Sequence, residues 1–196
     1  KPIETVTLGT MISGTVQEVS CAVNMIVRKG QICAQIDPRP YQRAIEVSRA
    51  ELATASALLE QHMASFNLAK ATYQRNVTLL DRGVVTRAVY ESAESVYKQA
   101  EAQIEFDKAV IEQRKAQLAT AELNLSYTKI ASPIDGIVLD RRVSVGETLS
   151  SSLQSPSLFV VASDLTKMHA VVRINEVDIG AFRATDNAKI NVKAFP

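Results

Sequence analysis

Ile45, Leu52, Leu59, Phe66, Tyr73 and Leu80 recur every seventh residue, with Ser48, Ala55, His62, Ala69 and Asn76 between them at alternating steps of three and four. This is a heptad seam, with large residues at one core position and small or polar ones at the other. A second seam follows. Tyr90, Tyr97, Ile104, Ile111, Leu118 and Leu125 keep the seven-residue beat, and Ala93, Ala100, Asp107, Arg114 and Ala121 fill the companion positions. Between Tyr41 and Ser132 there is no proline and a single glycine, Gly83, near the midpoint. Since glycine and proline punctuate local structure most strongly, the pattern predicts two helices joined at a turn near Gly83. Arms of roughly 38 residues rising 1.5 Å each reach about 57 Å. Small companion residues let the arms approach closely. Pairing about the turn sets His62 opposite the Ile104–Asp107 region, within reach of the Asp107 carboxylate. A narrow seam leaves most of so long a hairpin wet, so reach explains its length better than stability does.

The flanks differ in kind. Met11 to Asp37 and Ile130 to Ala162 are rich in Val and Ile and alternate as short strands do. They also resemble each other. Gly14-Thr15-Val16 followed by Val27-Arg28-Lys29-Gly30-Gln31 matches Gly136-Ile137-Val138 followed by Val143-Ser144-Val145-Gly146-Glu147. Neither half has enough strands to bury a face alone, so the two must pair into one small β-sandwich interrupted by the coiled coil. The fold class is thus α+β. Residues 1–40 are expected to form the first half of this β-sandwich with an N-terminal strand of an adjoining β-domain, and 41–128 the hairpin, its tip near 80–88. Residues 129–163 form the second half, and 164–196 open a β-barrel domain, with strands at Met168 to Ile174 and Ala188 to Val192.

Composition narrows the function. A net charge of +1 supplies no basic surplus for a phosphate backbone, which argues against nucleic acid. Aromatics make up 5% of the chain and Trp is absent, which suits long helices better than a bulky globular core. No apolar run is long enough to span a bilayer. Cys21 and Cys33 lie in apolar, strand-like stretches and read as two small buried hydrophobes. Their pairing stays open, because a disulfide needs Cβ atoms within about 4.5 Å. No Cys and His cluster supplies zinc ligands, and neither a metal nor a cofactor is expected. His62 lies in a seam and His169 in a strand, and neither has both a Ser and a carboxylate placed to suggest a triad. Glu176 and Asp178 read as helix-start carboxylates, not an acid/base pair. No enzymatic role is expected.

The repeated half-motif resembles the lipoyl/biotinyl carrier fold. A carrier needs a modifiable Lys on the hairpin between its halves, whereas Asp37-Pro38 here leads into the coiled coil and the second half resumes at Ala131-Ser132-Pro133-Ile134-Asp135-Gly136. A split lipoyl-like domain carrying a helical hairpin, followed by a β-barrel, resembles the membrane fusion proteins (HlyD-like periplasmic adaptors of tripartite efflux pumps and type I secretion systems). The tip is the most specific part of the likeness. Family tips carry an Arg, a Leu four residues on and a Ser seven further, then Tyr/Leu-Asp-x-Ala. Arg75, Leu79 and Ala93 match, while Thr86 stands for the Ser and Glu91 for the Asp. The resemblance implies that Arg75, Leu79 and Thr86 bind an outer-membrane exit duct; the alternative for Arg75 is a solvated flank of the coiled coil.

The loop from Ser150 to Phe159 is similar to that of the MacA-type adaptors of ABC-driven pumps, which carry Gln-x-Pro-x-Ile/Leu there. Gln154 then implies a channel gate in a homo-oligomeric ring of six, the alternative being an ordinary loop glutamine. The inner-membrane partner implied is an ABC transporter, with a proton-driven pump as the second possibility. Placement in the periplasm follows, tethered to the inner membrane by an N-terminal segment outside this chain. Competing readings are a carrier domain and a coiled-coil scaffold with no part in transport.

Overall fold

The computed structural model describes residues 4–151 and 157–163. Its elements run β1 (Thr5–Gly9), β2 (Gly14–Val19), β3 (Ile26–Val27), β4 (Ile32–Ile36), α1 (Arg39–Asp81), α2 (Arg87–Ser126), β5 (Lys129–Ala131), β6 (Gly136–Arg141), β7 (Thr148–Leu149) and β8 (Ser157–Ala162). The strands make two four-stranded sheets, ordered β1-β8-β6-β3 and β5-β4-β2-β7, every pairing antiparallel. The helices form one long antiparallel hairpin inserted between β4 and β5.

The sequence repeat becomes an exchange of strands. The short β3 of the first half pairs with β6 of the second, and the short β7 of the second pairs with β2 of the first. Val138 and Val16, which match in the repeat, each donate and accept one bond across the two halves. Asn24 N–H donates to the Val138 carbonyl and Val138 N–H to that of Met25, at 2.8 and 3.0 Å. In the other half Val16 N–H donates to the Glu147 carbonyl and Gly146 N–H to that of Val16, at 2.9 and 2.8 Å. Each Val-x-x-Gly turn places its glycine in the left-handed region, at φ 83° for Gly30 and 85° for Gly146, where other residues are strained. The residue after that glycine closes the turn. The Gln31 side chain accepts from Arg28 N–H at 3.0 Å, and Glu147 from Ser144 N–H at 2.9 Å.

Inward-facing Val16, Val27, Ile36, Val138, Val143 and Phe159 fill the space between the sheets, all nearly inaccessible. Gly136 carries no side chain because a Cβ there would overlap the Ala162 carbonyl oxygen of the neighbouring strand. The N-terminal strand, expected to belong to an adjoining β-domain, runs along β8 from Thr5 opposite Ala162, so β1 extends the lipoyl-like sheet. Cys21 and Cys33 are buried, as expected of small hydrophobes, and are bonded to each other as a disulfide that ties the end of β2 to β4. The strands and helical turn anticipated after residue 163 lie outside the described residues.

The hairpin is clamped at its base. Tyr41 Oη donates to the Ser13 carbonyl at 2.6 Å, and Ile36 N–H to that of Thr128 at 2.8 Å. Asp37 accepts from Arg39 N–H at 3.0 Å and forms an ion pair with its guanidinium, whose hydrogen bonds hold the Asp37 carboxyl below its ordinary pKa. Tyr41 and Tyr127 pack against the sandwich core. These contacts orient the hairpin, which at 1.5 Å per residue extends about 60 Å from the β-domain.

Candidate functional site: the hairpin tip

Heptad residues of both helices face each other along the whole seam and are the less exposed positions of each arm. Toward the tip the seam becomes aromatic. Phe66 and Tyr97 lie 5.5 Å apart, Tyr97 stacks on Tyr73 at 5.2 Å, and Tyr73 meets Tyr90 at 5.7 Å with their hydroxyls 3.3 Å apart. Offset and tilted ring pairs of this kind add stabilisation beyond their buried area. The Tyr73 contact, partial burial and nearby Glu94 push the Tyr90 phenol up to about 12, so it stays neutral. The last turns before the tip are therefore held rigidly.

α1 ends at Asp81. Gly83 takes φ 67°, Gly83 N–H donates to the Leu80 carbonyl and Val84 N–H to that of Leu79, both at 2.9 Å, and these bonds close the helix in the manner of a glycine cap. Thr86 is the N-cap of α2 with an extended backbone, its carbonyl receiving Val89 N–H and Tyr90 N–H at 3.1 and 3.3 Å, while its hydroxyl makes no capping bond. Arg87 is occupied by Glu91 at 2.9 Å. Arg75 stands exposed about two turns back from the apex, and none of the ion pairs among the described residues includes it. Leu79 is half-buried and Thr86 exposed. The structure thus brings Arg75, Leu79 and Thr86 to one end of the molecule, farthest from the β-domain.

Sequence reading overlooked Val84. It lies just past the turn glycine, outside either heptad, and at 67% exposure it is the apolar apex of the hairpin. Its signal was a large aliphatic residue in a tip loop that has no core to fill. Gln154 lies outside the described residues; the loop leading toward it is held at Ser151, whose N–H donates to Ser13 Oγ at 3.0 Å.

The expected His62–Asp107 contact is present halfway along the arms. His62 Nδ1 lies 2.5 Å from Asp107 Oδ2, and Gln103 Nε2 donates to the other carboxylate oxygen at 2.9 Å. Asp107 is only 3% exposed. Burial alone would raise its pKa, but the hydrogen bonds from His62 and Gln103, with the attraction of the imidazole, bring it below the ordinary value. Among the described residues there is no cluster of Cys, His and carboxylates that could hold a metal, and no helix is long and apolar enough to cross a membrane.

A barrel-sandwich domain split by a coiled-coil hairpin defines a class, and the chain belongs to it: residues 4–161 match the model of the membrane fusion protein barrel-sandwich hybrid domain of the RND group. Among individual relatives, it is 30% identical to the macrolide export protein MacA of Yersinia pestis, over 99% of this chain and 52% of that one. It is 29% identical to the pyoverdine export membrane fusion protein PvdR of Pseudomonas aeruginosa, over 92% and 46%. The crystal structure of MacA from Actinobacillus actinomycetemcomitans superposes with a TM-score of 0.83 at 31% identity, covering 92% of this chain and 55% of that one. The chain spans about half the length of the curated relatives it matches.

Proposed function

We propose that this chain is the adaptor segment of a tripartite exporter, which bridges an inner-membrane transporter and an outer-membrane exit duct and forms part of a sealed channel. The observation that carries this reading is a rigid hairpin about 60 Å long, clamped at its base and presenting at its far end an exposed Arg75, in no ion pair among the described residues, with Leu79 and Thr86. A planar guanidinium suits carbonyls and carboxylates on a facing helical end. Membership of the membrane fusion family and the export roles in the relatives' names support it. A carrier role has lost its element, since β4 leads through Asp37 and Pro38 straight into α1 where a carrier would turn on its modified lysine.

The MacA-type likeness favours an ABC transporter as the inner-membrane partner, and the RND label of the matching family model keeps a proton-driven pump as the second reading. The buried Cys21–Cys33 disulfide suits an oxidising compartment, which supports placement in the periplasm, tethered by an N-terminal segment. A ring of six copies with Gln154 as its gate completes the reading. The test is a photo-crosslinking amino acid at position 75 of the full-length protein, in cells carrying a candidate duct. A covalent adduct with the duct is expected. Adducts with other partners only, while export proceeds, would overturn the tip assignment. For the gate, Gln154→Ala should leave folding intact and alter transport; unchanged efflux in a complementation assay makes that loop structural only.

A further inference from the structure

Cys21 and Cys33 are the two cysteines of the chain, and both lie in its first half, ahead of the hairpin. Their strands meet locally. β2 runs antiparallel to β4 with Val19 opposite Ala34, and Ser20 N–H and Cys21 N–H both donate to the Cys33 carbonyl, at 2.8 and 3.2 Å. This pairing uses no residue of the second half. The second half instead closes around it. β5 lies along the other side of β4, with Ala131 opposite Ile32 and Ile130 opposite Ala34, one residue to each side of Cys33. β6 straps down the segment between the cysteines, through the Val138 bonds to Asn24 and Met25. Val138, Leu158, Phe159 and Val161 of the second half share one buried cluster with both cysteines. In the closed sandwich Cys21 is 2% exposed and Cys33 0%.

Burial and chemistry therefore conflict. A disulfide forms when a thiolate reaches the sulfur of another disulfide, and the closed domain exposes neither cysteine to one. The order of the chain removes the conflict. The hairpin, with 43 residues in α1 and 40 in α2, stands between the two halves. At about 5–20 residues per second it takes on the order of 4–18 s to emerge, time enough for a disulfide made within seconds by an efficient oxidant. Two strands alone are marginal in water, so a bond between β2 and β4 keeps them paired until their remaining partners arrive.

We propose that the first half is the dithiol substrate of a disulfide-donating oxidant, and that the Cys21–Cys33 bond is made before β5, β6 and β8 close the sandwich. This rests on the periplasmic placement in the adaptor reading. One cysteine thiolate attacks the oxidant's disulfide, forms a mixed disulfide and displaces the oxidant's other sulfur as a thiolate. The second cysteine loses its proton, attacks the Sγ of the first and displaces the oxidant's remaining sulfur. Two electrons and two protons pass from the cysteine pair to the oxidant, which leaves as a dithiol.

The test uses full-length protein, unfolded and reduced, then returned to native conditions with oxidised glutathione present from the start or added once amide protection of the strands is complete. Mass mapping follows the Cys21–Cys33 bond. Late oxidant is expected to form it at least about a hundredfold more slowly, since the thiols then react only through local opening. A reduced chain that never gains strand protection places the bond first as well. Equal rates in a chain with protected strands overturn the proposal. In cells, Gly136→Trp drives a side chain into the Ala162 carbonyl and blocks closure. Recovered under denaturing conditions after alkylation of free thiols, that variant should carry the bond as completely as the native protein. Free thiols in the variant beside a bonded native protein would mean that closure comes first. Free thiols in the native exported protein overturn the proposal but leave the adaptor reading standing if the position-75 probe captures a duct; without that adduct both fall.

Discussion

At Arg75 a guanidinium stands exposed with no carboxylate partner among the described residues, whereas at Asp107 a carboxylate is buried and holds two donors. The first arrangement suits a partner from outside, the second a fixed internal pairing. Arg75→Asp should weaken duct binding more than Arg75→Lys, which keeps the charge but loses the planar donor fork. A charge-assisted hydrogen bond is worth about 1.5–3 kcal/mol, so each tip should lose about tenfold in affinity or more, multiplied across copies by avidity. Melting should barely change, because an exposed side chain contributes little packing. Pull-down and thermal denaturation check the two halves of this expectation, and an Arg75→Asp protein that unfolds yet still exports makes Arg75 structural. Asp107 behaves oppositely. Its pKa is lower folded than unfolded, so its contribution is complete above the unfolded value of 3.8 and is lost as pH falls through the lower folded value. Hairpin stability should therefore drop more steeply below about pH 4 in the native protein than in Asp107→Asn, measured by helical circular dichroism against temperature at stepped pH.

The elements show why a glycine can matter more than a whole turn of helix. Gly136 opens β6 against the Ala162 backbone, and a methyl group there meets a carbonyl oxygen that cannot move without parting β6 from β8. Gly136→Ala should destabilise the β-domain by about 1–3 kcal/mol, as overpacking in a close-packed interior does. Gly30 and Gly146 have open space around a would-be Cβ, so their requirement is the backbone conformation alone. Chemical denaturation followed at the strands separates these effects from the helices, whose melting should be little altered by Gly136→Ala. A change confined to the helical signal would contradict the assignment of Gly136 to the sheet contact.

Across the whole molecule, what could be read from sequence is what periodicity encodes. Heptads determine which residues of α1 and α2 meet, level by level, so His62 and Asp107 could be placed together by counting from Gly83. The repeated Gly-x-Val and Val-x-x-Gly halves implied one domain because neither half could bury a face alone. The Cys21–Cys33 bond depends on the distance between β2 and β4, which no local pattern records, and Val84 falls between the two periodic arms. The crossed pairing of β3 with β6 and β7 with β2 is likewise a three-dimensional consequence of the repeat. Length is the remaining variable. If the hairpin serves reach, removing one heptad from each arm at matched levels, residues 50–56 and 113–119, preserves both seams, the base clamp and the tip while drawing the tip back by about 10 Å. The shortened protein should keep its helical signal and bind an isolated duct in solution through Arg75, yet fail to support export when the transporter and the duct are both anchored in their membranes. Restoring the two heptads with different seam-compatible residues should restore export. Full export by the shortened hairpin would show that its length is not set by the distance it spans.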